Sequence, residues 1–316
     1  MPHTLQTAFC TIVTQSHLDY ALALYLSYRQ FSPEVPFYIL VSDIKEEQKI
    51  EWDKFPDINV LGLEALNDIE NAKLVKDKYQ SEPDLIRWSL KPALMLHLLQ
   101  DRGIKEVLFL DCDLCFFQDF TFIREQLSQS ATLLSPHWRS DDPFSFPNNF
   151  RLNFTDGMYN GGFVGATQEG IFALDWWLSA CLYRCERTRE EGYYDDQKYL
   201  DLLPAQFPGT QILHHRGCNV ANWNLNQNIR TQNGKGEVLI LDKWPIIFIH
   251  FSGSTVKGIL KDKDPLLSPY LDRWKILLDE AADFLEKARR KFELPNPGAT
   301  PLPKRILNKL GLKAKK

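Results

Sequence analysis

The chain contains no apolar run near the 18 or so residues needed to span a bilayer, and Met1 to Gln15 shows no basic stretch followed by an apolar one. Neither secretion nor a transmembrane helix is expected. Cysteine is sparse: Cys10, Cys112, Cys115, Cys181, Cys185 and Cys218 are six among 316 residues, too few for a disulfide framework. The expectation is reduced thiols in a cytoplasm. Cys112-x-x-Cys115 has no second close pair and no histidine cluster at zinc-ligand spacing beside it, so it is not read as a zinc site. A charge excess is also missing. Lys+Arg at 37 against Asp+Glu at 41 leaves −4, which gives no global reason to bind nucleic acid. No internal repeat occurs.

With 44% hydrophobic and 25% charged residues, the chain as a whole is globular, and disordered, collagen-like or coiled-coil readings fail. The C-terminus differs. After Glu293 come Pro295, Pro297, Pro301 and Pro303, and Lys304 to Lys316 then carries +6 with no acidic residue, leaving −10 for the rest. Ile306, Leu307, Leu310 and Leu312 lie among those bases, a composition suited either to peripheral contact with anionic lipid or to a solvated terminus.

The first half alternates strand and helix signals. Ala8 to Thr14, Phe37 to Ser42, Ile58 to Leu61 and Glu106 to Leu110 read as strands; Tyr20 to Phe31, Ile44 to Lys54 and Asp84 to Gln100, interrupted by Pro92, read as helices. Such alternation predicts an α/β fold with a mostly parallel central sheet flanked by helices, and ligands at the carboxyl ends of its strands. Ser135 to Asp156 reads as a long loop or flap. Further strands are predicted at Gly162 to Ala166, Val238 to Leu241 and Ile246 to Phe251, and helices at Gln168 to Arg187, Asp195 to Leu203 and Tyr270 to Phe292.

Four stretches carry chemistry. The buried-looking strand Val107 to Leu110 runs into Asp111-Cys112-Asp113, and carboxylates buried without partners would cost several kcal/mol each. Side chains i and i+2 of a strand share a face, so Asp111 and Asp113 are expected to converge on one hard cation, Mg²⁺ or Mn²⁺. A second apolar strand ends in His250-Phe251-Ser252-Gly253; the imidazole is either a structural residue or the third member of a mixed oxygen and nitrogen site, which leans toward Mn²⁺. In Asn160-Gly161-Gly162 the glycines permit close approach to a ligand and Asn160 offers both a donor and an acceptor. In Tyr194-Asp195-Asp196-Gln197 one aspartate either caps the following helix or faces a ligand.

In this order, Asp111 to Asp113, Asn160 to Gly162, Asp196-Gln197 and His250 to Gly253 followed by Lys257 resemble the motifs of family 8 glycosyltransferases, enzymes of the Rossmann-like GT-A fold, over roughly Ala8 to Lys257. Two departures are visible. Lys257 falls one residue later than the family's lysine, without the Pro-Trp that follows there, and Lys198 stands where an acidic residue is common. The resemblance implies a single catalytic domain over residues 1–293, with 1–115 as the nucleotide-binding half and 116–293 as the acceptor half. It implies a UDP-sugar bound through a metal on Asp111, Asp113 and His250. Thr11, Val13, Thr14 and Tyr20 would hold the nucleoside, Tyr20 being alternatively a core aromatic. Arg87, Lys91, Cys112, Gly161, Gly162, Gly253 and Lys257 would line the donor site, with Asp196, Gln197 and Asn160 beside the sugar.

The expected reaction transfers a hexose to a glycan or lipid-linked saccharide, with retention of configuration. Asp156 and its loop are candidates for acceptor contact or a closing lid. Two other readings use the same residues. Strand-Asp-x-Asp also opens haloacid-dehalogenase-like phosphatases, where Asp111 would attack phosphorus and Asp113 would serve as acid and base. A non-catalytic GT-A scaffold would bind sugars at a membrane surface without needing either aspartate.

Overall fold

The computed structural model describes residues 7–43, 55 and 57–291, with side chains through residue 287. The expected helix Ile44 to Lys54, the Pro-rich stretch and the basic segment Lys304 to Lys316 lie outside the described residues.

The first half runs β1 (Thr7–Val13), α1 (Leu18–Tyr28), β2 (Phe37–Val41), β3 (Ile58–Leu61), α2 (Glu70–Lys78), α3 (Pro83–Ser89), α4 (Lys91–Gln100) and β4 (Glu106–Leu110). Pro92 does not break one long helix, because Leu90 forms the joint and the proline sits in the first turn of α4, where its missing N–H costs nothing. There follow β5 (Leu114–Phe116), α5 (Thr121–Leu127), β6 (Thr132–Pro136), α6 (Pro147–Thr155), β7 (Tyr159–Thr167) and α7 (Ile171–Tyr183). The Ser135 to Asp156 stretch is therefore not a plain loop. It holds the end of β6 and all of α6, a helix in which no residue is buried.

The last part comprises α8 (Leu203–Gln206), β8 (Thr210–Ile212), β9 (Arg230–Gln232), β10 (Val238–Ile240), β11 (Trp244–Pro245), β12 (Phe248–His250), α9 (Gly253–Leu260) and α10 (Ser268–Lys291). The helix expected from Asp195 is instead a 3-10 turn at Gln197–Leu202 leading into α8.

Seven strands form the central sheet in the order β3-β2-β1-β4-β7-β6-β8. Every pairing is parallel except the two made by β7, which is antiparallel to both β4 and β6. Because the middle of the sheet is covered on both faces, its central strands β1, β2 and β4 are mainly apolar and buried along their whole length. On β1, Phe9 and Val13 enter the core under α1 and α10, whereas Ala8, Cys10 and Ile12 enter the core under α2, α4 and α7. Two small sheets complete the fold: β9-β10-β11, and the antiparallel ribbon of β5 with β12. In that ribbon His250 lies opposite Leu114, and Phe251 N–H donates to the carbonyl of Asp113 at 2.8 Å, so the two chemistry-bearing strand ends are stitched together through backbone. No helix among the described residues is long and apolar enough to cross a membrane.

Candidate active site

The carboxyl ends of β1 and β4, the β12–α9 junction and the turns after β6 and α7 open onto a cleft of about 790 Å³. Asp111, Asp113 and His250 offer ligand atoms that all lie within 4.8 Å of one another. The convergence arises differently from the expected strand alternation. β4 stops at Leu110, and Asp111 to Asp113 form a tight turn in which Leu114 N–H returns to the Asp111 carbonyl at 3.1 Å. His250 is buried, with Nε2 3.0 Å from Asp113 Oδ1 and Nδ1 3.4 Å from Asn219 Oδ1. Asn219 is held in the left-handed region (φ 55°), and Trp223 packs its ring at 83° to the imidazole.

Gly162 explains the space between these groups. Its carbonyl accepts from Asp111 N–H, and a Cβ there would stand 2.6 Å from Asp111 Oδ2, 2.8 Å from Asn160 Oδ1 and 2.8 Å from His250 Cε1. A side chain at 162 would fill the cradle. Two carboxylates and an imidazole around an open pocket fit a divalent cation of intermediate hardness. Cys112 lines the cleft, whereas Cys115 is fully buried and burial pushes its thiol up to about 12; all six cysteines are free thiols.

Behind the acidic turn lies Lys91, at the N-terminus of α4 and almost fully buried. Its Nζ donates to the Gly161 carbonyl at 2.9 Å and sits 3.3 Å from Asp111 Oδ1 and 3.2 Å from Asp196 Oδ2. Burial pulls the Lys91 pKa down, but the two carboxylates outweigh it and hold it raised, so the ammonium stays charged. Asp196 stands at the start of the 3-10 turn Gln197–Leu202, but its side chain makes no cap hydrogen bond there and turns to Lys91 instead. Burial, offset in part by Lys91 and reinforced by Asp195 and Asp111, raises its pKa to about 7. Gln197 donates from Nε2 to the Asp156 carbonyl at 2.7 Å.

The expected residues divide into two sets. Arg87, Lys91, Asp111, Cys112, Asp113, Asn160, Gly162, Asp196, Gln197, His250, Gly253 and Lys257 all line the cleft. Thr11, Val13, Thr14, Tyr20 and Gly161 do not. Val13 belongs to the core because the strand face that carries it and Phe9 looks toward α1 and α10, and Tyr20, on α1 itself, joins that core edge-on to Trp274 at 5.6 Å. On β1 it is Ile12 that reaches the cleft, and beyond it His17. Gly161 contributes backbone only; a Cβ there would meet Asp196 Oδ2 at 2.7 Å. Lys257, one residue late in sequence, lies four residues after Gly253 in α9, so both face the cleft from one side of the helix.

Several lining residues carried no signal in the sequence. His137 and Arg139 follow β6, Trp223 sits in a 3-10 turn, and Arg187 and Arg189 follow α7. Arg189 grips buried Asp156 at 2.7 and 2.8 Å, and Arg187 grips Asp195 at 2.9 and 2.7 Å, while their guanidiniums stack on Tyr194. Burial pushes the Asp156 carboxyl up, but Arg189 and Thr155 outweigh it and hold the pKa below its ordinary value. Loops set these positions, and loops have no hydrophobic period to read.

No family model matches the chain. Two proteins of Bacillus subtilis (strain 168) do. The uncharacterized protein YfnF is 29% identical over 258 residues, 81% of this chain and 84% of YfnF. The uncharacterized protein YfnD is 30% identical over 253 residues, 78% of each chain. The chain belongs to the family of YfnD. Among solved structures, the galactosyltransferase LgtC in complex with donor and acceptor sugar analogues aligns over 87% of this chain and 95% of its own, with a TM-score of 0.50 at 14% identity. That likeness concerns the fold, which for this member of the YfnD family is the GT-A fold.

Proposed function

We propose that the protein is a glycosyltransferase that moves a hexose from a UDP-linked sugar to a glycan or lipid-linked saccharide acceptor, with retention of anomeric configuration. The observation that carries this reading is the grouping of Asp111, Asp113 and His250 within 4.8 Å on the wall of a cleft large enough for a nucleotide sugar. Mn²⁺ or Mg²⁺ held by these three residues would neutralise charge on a departing diphosphate as a Lewis acid. The GT-A fold takes away the main support of the phosphatase reading, which rested on Asp-x-Asp following a strand.

The chain's own residues divide the remaining work. Gly253, at the first turn of α9, offers a backbone without a side chain, and Lys257 one turn on brings a cation to the same place; together they suit a diphosphate. In this proposal residues 1–115, with Ile12 and His17 on the cleft wall, would supply the nucleoside end and residues 116–293 the acceptor end. Asp196, Gln197 and Asn160 stand beside the sugar. With retention, the departing phosphate accepts the acceptor's proton, so no side chain is required as base; Asp196, held near pKa 7, balances the charge of Lys91 and stabilises positive charge developing on the sugar. A cytoplasmic site with a membrane-borne acceptor, reached through the basic segment Lys304 to Lys316, completes the proposal.

The test is a thermal-shift panel of nucleotide sugars with and without Mn²⁺, followed by assay of sugar transfer to water. At 100 times Kd, ligand linkage stabilises the native state by about 2.7 kcal/mol. A UDP-sugar-specific gain that chelation removes, together with hydrolysis abolished by Asp111→Ala and Asp113→Ala, is the expected result. A gain indifferent to chelation, no gain with any nucleotide sugar, or binding and turnover unchanged in both variants would overturn the proposal.

A further inference from the structure

We propose that His137 is a positioning residue for Asn160: a neutral imidazole of one fixed tautomer that accepts from Asn160 Nδ2 and aims that carboxamide at the sugar. The inference rests on the reading of the cleft as a donor site, but its geometric part stands alone.

Three hydrogen bonds determine one another. Gly162 N–H lies 3.0 Å from Asn160 Oδ1, and a backbone N–H only donates, so the oxygen end of the amide is fixed toward Gly162. The other end, Nδ2, then faces His137 Nε2 at 3.2 Å, and an amide nitrogen only donates. Nε2 must present its lone pair. The neutral ring therefore carries its hydrogen on Nδ1, which lies 3.1 Å from the Gly157 carbonyl, an acceptor only. These three contacts agree on a single tautomer; the opposite assignment sets Nε2–H against Asn160 Nδ2 and turns a lone pair toward the Gly157 carbonyl.

Arg139 Nη1, 3.3 Å from Nδ1, competes with the ring for the same carbonyl: it donates to the Gly157 carbonyl at 2.5 Å and to the Leu152 carbonyl at 3.1 Å. Against that competition the tautomer is set by Asn160 Nδ2 on the other ring nitrogen. Trp223 packs edgewise on His137 at 5.5 Å and on His250 at 5.1 Å, filling the space between the two imidazoles. Burial first, and then the Arg139 guanidinium, push the His137 pKa well below its ordinary value. With Oδ1 and one Nδ2 hydrogen committed, Asn160 retains one lone pair and one hydrogen for a ligand in the cleft it lines. The same Asn160 Oδ1 borders the cradle at Gly162, so the relay ties the sugar-facing amide to the acidic turn.

The test has two arms on the full chain. The first records ¹⁵N histidine resonances at neutral pH, with His137 assigned by difference against His137→Gln; the Nδ1–H neutral pattern is expected, and an Nε2–H or imidazolium pattern overturns the inference. The second measures kcat and KM for hydrolysis of the UDP-sugar, and UDP affinity by thermal shift, in His137→Leu and His137→Gln. Loss of the acceptor in His137→Leu should lower kcat/KM about tenfold while UDP affinity stays within twofold, and His137→Gln, which restores an acceptor, should regain most of the loss. Wild-type kinetics in His137→Leu, or equal losses in both variants, would overturn it. If wild-type protein turns over no nucleotide sugar, the functional proposal fails while the resonance pattern still decides the relay.

Discussion

Gly162→Ala is the sharpest perturbation of the candidate cation site. The added methyl would stand 2.6 Å from Asp111 Oδ2 and 2.8 Å from His250 Cε1. Normal contact lies near ~3.5 Å, so each group must retreat by about 0.7–0.9 Å. Metal sites tolerate about 0.2 Å of ligand displacement. Two of three donors would be out of range, and Mn²⁺ affinity, measured by titration calorimetry with UDP present, should fall about 100-fold, or about 2.7 kcal/mol. Overpacking should also cost about 1–3 kcal/mol of stability, read from the denaturant midpoint. Gly258→Ala is the control. Its Cβ meets nothing within 4 Å on α9, so it should stabilise by about 1 kcal/mol and leave Mn²⁺ binding untouched. A folded Gly162→Ala protein that binds Mn²⁺ within threefold of wild type would refute the cradle.

Lys91→Met leaves two carboxylates without their shared cation; it should cost about 3 kcal/mol at pH 8 and less at pH 5, where Asp196 protonates, as denaturant midpoints at the two pH values will show. The Asp196 carboxyl, raised by burial from 3.8 to about 7, binds its proton more tightly in the native state, so its contribution is fully present below pH 4 and is lost as pH rises to 7. That pH-dependent loss, on the order of 4 kcal/mol, should disappear in Asp196→Asn; an unchanged pH profile of stability would contradict the burial argument. Lys257→Ala should weaken UDP about tenfold while leaving uridine unaffected, and the difference should shrink with added salt, as competition binding can establish.

Much of the sheet was legible because most of its strands are short, mainly apolar runs. Ile58–Leu61 and Glu106–Leu110 each hold a single polar residue, Asn59 and Glu106, and the structure has β3 and β4 at those bounds. Direction was not legible. β7 reads like its neighbours but runs against them, since nothing in Tyr159–Thr167 records which way the preceding connection returns. The acidic turn, the His250 strand and the Asn160 glycines could be found because each interrupts an apolar run with a polar group. Facing along β1 could not, because both faces are largely apolar: Val13 went to the core and Ile12 to the cleft, while Tyr20 on α1 took the core place that was its alternative reading. His137, Arg139 and Arg189 come together only through the path of the chain after β6 and α7, and their neighbours in sequence give no hint of it. The Ser135 to Asp156 stretch reads as a loop because α6 buries no residue and so lacks an apolar face turned to a core.

The ribbon of β5 and β12 has a consequence for how this family can diversify. Leu114 is paired to His250 and Phe116 to Phe248, so the spacing between the acidic turn and the imidazole is set by a ladder three residues long. Everything between Phe116 and Phe248 is an excursion that leaves this ladder and comes back to it. Insertions or deletions within that excursion can reshape the acceptor end while the ladder keeps its rungs. A single residue inserted between Asp113 and Leu114, or between His250 and Phe251, would have no such freedom.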